Sequence, residues 1–138
     1  VSEPLYTRDI LRLASSIPYL DPIDRADGQA ALRSPTCGAT MTVAVRLDGE
    51  GRVVALSQSV SACAFGQATA ALMGQGAIGI DRAAAARAEA DVRCWLAGEA
   101  VDPWPGFEAL EPARTRVGRH GAILLPFRTL LAAIEEAQ

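Results

Sequence analysis

Three cysteines and a single histidine are the side chains in this 138-residue chain best suited to nucleophilic or metal chemistry. Two of the cysteines stand at changes of sequence pattern. Before Cys63, the residues Val54, Leu56, Val60 and Ala62 keep a period of two, as a half-buried strand does. After it, Phe65, Ala68, Thr69, Leu72 and Met73 recur at steps of three and four, as one face of a helix does. Cys63 is therefore expected where a strand gives way to a helix. Unpaired N–H groups and the positive end of the helix dipole at such a junction favour the thiolate, the form that attacks electrophiles and binds metals. The competing expectation is a small buried hydrophobe, since free cysteine is among the most buried residue types.

Cys37 lies in Ser34-Pro35-Thr36-Cys37-Gly38-Ala39. Pro35 excludes a helix interior and Gly38 admits backbone angles that other residues avoid, so Cys37 belongs to a loop. That loop feeds a strand with Met41, Val43, Val45 and Leu47 on one face. Asp48-Gly49-Glu50-Gly51 then reads as a hairpin turn between two alternating segments. Cysteines on the two entrances to a hairpin can converge at one end of a sheet. Cys94, off the main apolar stripe of its helix, has no evident partner and reads as a structural or partly exposed thiol.

At this point the sequence resembles a known family. Ser34-Pro35-Thr36-Cys37-Gly38 is similar to the Asn-Pro-x-Cys-Gly-Asp of the iron–sulfur cluster assembly scaffolds, the IscU, SufU and NifU amino-terminal family. Ala62-Cys63-Ala64-Phe65-Gly66-Gln67-Ala68-Thr69-Ala70 is similar to that family's Gly-Cys-Ala-Ile-Ser-x-Ala-Ser-Ala. The resemblance runs from about Tyr6 to Ile134. The long segment after Cys63 resembles the Suf branch, and the Leu-Pro-Pro-Val-Lys motif of the Isc branch is absent.

The chain departs from the family at two ligand positions. Ala39 replaces the aspartate after Cys-Gly, and Gly121 or Ala122, in Arg119-His120-Gly121-Ala122-Ile123-Leu124, stands where a third cysteine belongs. The resemblance implies a metal or cofactor site of Cys37 and Cys63, with His120 auxiliary if the fold brings it to the same edge. A tetrahedral iron or zinc site generally wants four such donors. Two or three would hold a labile [2Fe–2S] cluster or iron, or zinc in the isolated protein, with a partner, a second subunit or a small thiol completing the shell.

The resemblance further implies a non-enzymatic scaffold or accessory scaffold. Persulfide sulfur would come from a cysteine desulfurase, arriving on the more thiolate-like Cys63, and the product would pass to apo iron–sulfur acceptor proteins. Two alternatives stay open: a metal-free paralogue that binds a desulfurase or another scaffold and regulates it, and a sulfur-transfer protein with Cys63 as nucleophile and His120 as base.

The elements that must position these residues are those of one α+β domain, residues 1–138: a small antiparallel sheet of about three strands, helices packed on one face, the cysteines at one end. A chain of 14.5 kDa with 50% hydrophobic residues can bury a core without staples. A first helix is expected over Tyr6 to Ser16, with Leu5 contributing to its face. A polar surface connection follows from Asp21 to Arg33. The helix from Cys63 should end near Gly74 to Gly79, and Asp81 should cap another over Arg82 to Ala97. After a short turn at Phe107 to Leu110, a last helix spans Ala122 to Glu136, with Pro126 in its first turns. Leu72, Met73, Val92, Trp95, Leu124 and Leu131 are expected in the core. Net charge −3, with all 13 basic residues arginine, argues against a nucleic-acid footprint. An odd cysteine count without a signal peptide suggests a reducing cytoplasm, and no apolar run has membrane-spanning length.

Overall fold

The chain begins its described part, residues 6–138 of a computed structural model, with a short helix α1, Arg8–Ala14. Thr7 caps it by accepting from the Ile10 N–H at 3.2 Å, and Ile10 is its fully buried residue. Leu5 lies outside the described residues. Three antiparallel strands follow in the order β1 (Gly28–Arg33), β2 (Thr40–Leu47) and β3 (Val53–Ser61).

β1 corrects the expectation of a surface connection up to Arg33. Only residues up to Asp27 form that connection; Gly28–Arg33 pairs in register with β2, from Gly28↔Val45 to Arg33↔Thr40. Cys37 consequently sits in the loop of a β1–β2 hairpin. The loop is closed by the Ser34 N–H on Ala39 O at 2.8 Å and the Gly38 N–H on Ser34 O at 3.0 Å.

β2 alternates as expected, burying Met41, Val43 and Val45. β3 does not. Leu47 faces Val53 and Arg46 faces Ala55, which leaves Val54 as the extra residue of a bulge. The bulge reverses the parity of the strand, so Val53, Leu56 and Gln58 turn inward while Val54 is exposed. The turn between these strands is the expected one, with Asp48 Oδ1 accepting from the Glu50 and Arg52 N–H groups at 2.9 Å.

Helix α2 (Ala64–Ala77) starts from Cys63 and buries Phe65, Ala68, Thr69, Leu72 and Met73. It ends at Ala77, within the expected Gly74 to Gly79 stretch, after running through Gly74 and Gly76. A Cβ at Gly74 would strike Pro18 and Gln58, and one at Gly76 would strike Trp104, so these two glycines admit close neighbours. Helix α3 (Arg82–Leu96) is capped by Asp81, whose carboxylate accepts from Ala84 N–H at 2.9 Å, and it buries Ala85, Ala88, Val92 and Trp95. Two 3₁₀ turns, Phe107–Ala113 and Val117–Arg119, lead to helix α4, His120–Glu136.

α4 starts two residues before the expected position. Pro126 is therefore its seventh residue, beyond the turn where a missing N–H is free of cost, and the helix gives up a bond to Ala122 O there. Packing against the sheet selects its buried face. Leu125, Phe127, Leu130 and Ile134 are buried, while Leu124 and Leu131 only flank the core.

The helices cover one face of the sheet, with α4 against β1 and β2 and α2 against β3. Trp95, Phe107, Phe127 and Trp104 form a chain of edge-on and tilted aromatic contacts, 5.1 to 5.9 Å between neighbouring centroids, beneath α4. Among the described residues, no helix is long and apolar enough to cross a membrane.

Candidate functional site

The site lies where three chain segments end at one edge of the sheet. Thr40, the first residue of β2, pairs with Ser61, the last residue of β3. The β1–β2 loop and the β3–α2 junction therefore emerge side by side, carrying Cys37 and Cys63. The third segment is the 3₁₀ turn and first turn of α4. It is drawn in because Gly66 of α2 has no side chain: a Cβ there would approach Ala62 Cβ at 2.6 Å and Ala122 Cβ at 3.3 Å. These segments enclose a pocket of about 250 Å³ lined by nine residues. The first two supply Cys37, Gly38, Ala39, Ser61, Ala62 and Cys63; the third supplies Gly118, Arg119 and Ala122.

Both sequence-predicted cysteines thus line one pocket, and so do Ala39 and Ala122. Gly121 faces elsewhere. A Cβ at that position would run into Ser34 Oγ and come within 2.6 Å of Thr36 Oγ1. Of the two residues that could stand at the missing cysteine position, Ala122 is the one that reaches the pocket.

The thiols differ in setting. Cys63 is half-buried and occupies the N-cap of α2, making no side-chain capping bond. Cys37 is exposed, and its Sγ lies 3.3 Å from Ser34 Oγ, which in turn lies 3.2 Å from Thr36 Oγ1. Burial pushes the Cys37 thiol up. The Ser34 hydroxyl, the Ala39 N–H, the Thr36 hydroxyl and the Arg119 charge more than offset it, holding its pKa below the ordinary cysteine value. Helix-start reasoning pointed to Cys63 as the more thiolate-like group. The hydroxyls beside Cys37 lie outside that reasoning; Ser34, 2% exposed, is a neighbour of the thiol that the sequence pattern does not mark.

His120 opens α4, but its ring is not part of the pocket lining; Nε2 lies 2.8 Å from Arg114 O. No group of three or more His, Cys, Asp or Glu side chains able to hold a metal ion occurs among the described residues. Arg119 lines the pocket and forms no salt bridge among the described residues. Cys94 lies apart on α3, its thiol pushed up by burial and then by Glu99 and Asp91, with Arg93 opposing.

A three-stranded antiparallel sheet backed by helices, with two motif cysteines at one sheet end, is a fold this chain shares with solved proteins of NifU amino-terminal and SufU type. The first of its solved relatives is the amino-terminal part of a nitrogen-fixing NifU-like protein from Brucella abortus. It superposes with a TM-score of 0.87 at 26% identity over 96% of this chain and 94% of that one. A putative iron–sulfur cluster assembly scaffold protein for the SUF system from Fervidobacterium islandicum shares the fold at a TM-score of 0.79 and 21% identity, over 94% and 96% of the two chains. No protein-family model and no curated protein sequence matches the chain.

Proposed function

We propose that this protein is an accessory scaffold in iron–sulfur cluster assembly, taking up sulfur and iron through Cys37 and Cys63 and holding them only loosely. The observation that carries the reading is the pocket lining: two thiols and two alanines, Ala39 and Ala122, at positions where the family resemblance expects four donors. Two thiolates suffice to capture iron or a [2Fe–2S] cargo but leave its shell open to ligands from outside. His120 becomes a further donor through Nε2 only by leaving the Arg114 carbonyl.

A cysteine desulfurase would supply persulfide sulfur, and the exposed Cys37, surrounded by groups that favour its thiolate, is the better first acceptor. Apo iron–sulfur proteins would receive the product.

Anaerobic metal analysis and cluster reconstitution of the wild type beside Cys37→Ser and Cys63→Ser test this. The reading expects weak binding by the wild type, lost to a chelator and abolished by either substitution. Tight zinc binding by the wild type would mean donors beyond these two. A second reading, a metal-free regulator of a desulfurase or another scaffold, is favoured by the alanine pair and predicts no metal in any variant together with desulfurase binding.

A further inference from the structure

The pocket contains the parts of a different reaction from cluster holding. The β2–β3 ladder ends at Thr40↔Ser61, three residues after Cys37 and two before Cys63, and both cysteines line the one pocket of about 250 Å³ at that sheet end. Gly38, at φ +73°, sits between Cys37 and the strand and gives this stretch a backbone freedom that other residues lack. Arg119 lines the same pocket, its charge acts on the Cys37 thiol, and it has no carboxylate partner among the described residues. Two further lining residues, Ala39 and Ala122, offer nothing that would retain a metal or an anion.

From this arrangement we infer that the protein releases hydrosulfide from a persulfide on Cys37, with Cys63 as the built-in reductant. The inference rests on the proposal that Cys37 accepts sulfur.

In the first step the Cys37 thiolate takes the outer sulfur of an alkyl persulfide, R–S–SH. The donor leaves as R–S⁻ and Cys37 becomes Cys–S–SH. In the second step the Cys63 thiolate attacks Cys37 Sγ. A bond forms between the two cysteine sulfurs, the bond from Cys37 Sγ to the outer sulfur breaks, and that sulfur departs as HS⁻ with the electron pair. The outer sulfur is reduced to the sulfide level while the two cysteines are oxidised to a disulfide, so the first turnover needs no other electron source. Attack on the outer sulfur instead moves the persulfide to Cys63, and the return attack by Cys37 gives the same products. The Arg119 guanidinium stabilises the departing anion. Further turnovers require an external dithiol to reopen the disulfide.

The test is to mix the reduced chain anaerobically with cysteine persulfide and to measure hydrosulfide alongside intact-mass and peptide-mapping spectra. The wild type should release one hydrosulfide per chain and acquire a Cys37–Cys63 disulfide. Cys63→Ser should keep one added sulfur on Cys37 and release none. Arg119→Gln should slow release at least about tenfold, as removal of an anion-stabilising donor does. Cys94→Ser should behave as wild type. Wild-type protein that retains sulfur on Cys37 and yields no hydrosulfide overturns the inference while leaving sulfur acceptance intact. Absence of added sulfur in every variant overturns both. The wild-type disulfide map decides the matter even if Cys63→Ser fails to fold.

Discussion

The two walls of the pocket have kept different things. The wall built from the β1–β2 loop and the β3–α2 junction carries both thiols, Cys37 and Cys63, with Ser34 and Thr36 behind the first, and lacks a donor only at Ala39. The wall that leads into α4 brings the Arg119 charge but no metal donor. Gly66 still lets α4 approach, Gly121 still makes room for the Ser34 and Thr36 hydroxyls, and Ala122 still borders the pocket, yet it brings no donor. Packing contacts that hold a wall in place and donor atoms that act from it are separate properties of a site.

Restoring donors to the empty positions tests this contrast with the largest expected effect. Ala122→Cys with Ala39→Asp should tighten zinc binding by at least about a hundredfold in chelator competition. A new ligand should exceed the ~10–100-fold that metal sites owe to groups behind the ligands. If affinity is unchanged, α4 does not present position 122 to the metal.

The buried side of α4 holds that wall against the sheet. Leu130→Ala should cost about 2–5 kcal/mol in denaturant unfolding, through lost burial and a cavity. Leu131→Ala, on the half-buried flank, should cost distinctly less. Equal losses would mean the face of α4 is wrongly assigned.

Gly121→Cys should separate neighbouring positions. Its Cβ meets the Ser34 and Thr36 hydroxyls, so the variant should lose about 1–3 kcal/mol of stability by overpacking and gain no comparable metal affinity.

The smallest effect concerns the retained wall alone. A pKa depressed from 9.0 means more thiolate at any pH below it, so Cys37 alkylation should reach half its maximal rate at a lower pH than an ordinary thiol. Cys94, shifted upward, should reach it at a higher pH. Mass spectrometry after partial alkylation at neutral pH should find Cys37 labelled ahead of Cys94; the reverse order would remove the role given to the Ser34 and Thr36 hydroxyls.

Much of this was legible in the sequence wherever the determinants were local. The β2–β3 hairpin, the start of α2 at Cys63 and the Asp81 cap follow from alternation, a change of period and a side chain near its own helix. β1 was not legible: Gly28–Arg33 follows a polar connection, and small Ala30 and Ala31 on opposite faces blur its alternation. The bulge at Val54 was hidden because only pairing with β2 reveals an extra residue. The site shows the same division. The cysteines were marked by their motifs, whereas the fit between Ser34 and Gly121 joins residues far apart in the chain. The depressed pKa of Cys37 depends partly on Arg119, which reaches it only through the packing of α4.

Zinc-edge X-ray absorption of the zinc-loaded Ala122→Cys protein tests the central claim most directly. The account predicts three sulfur neighbours at about 2.3 Å, from Cys37, Cys63 and the new thiol, falling to two when Cys37 or Cys63 is also replaced by serine. One sulfur neighbour or none would contradict a single pocket bounded by both walls.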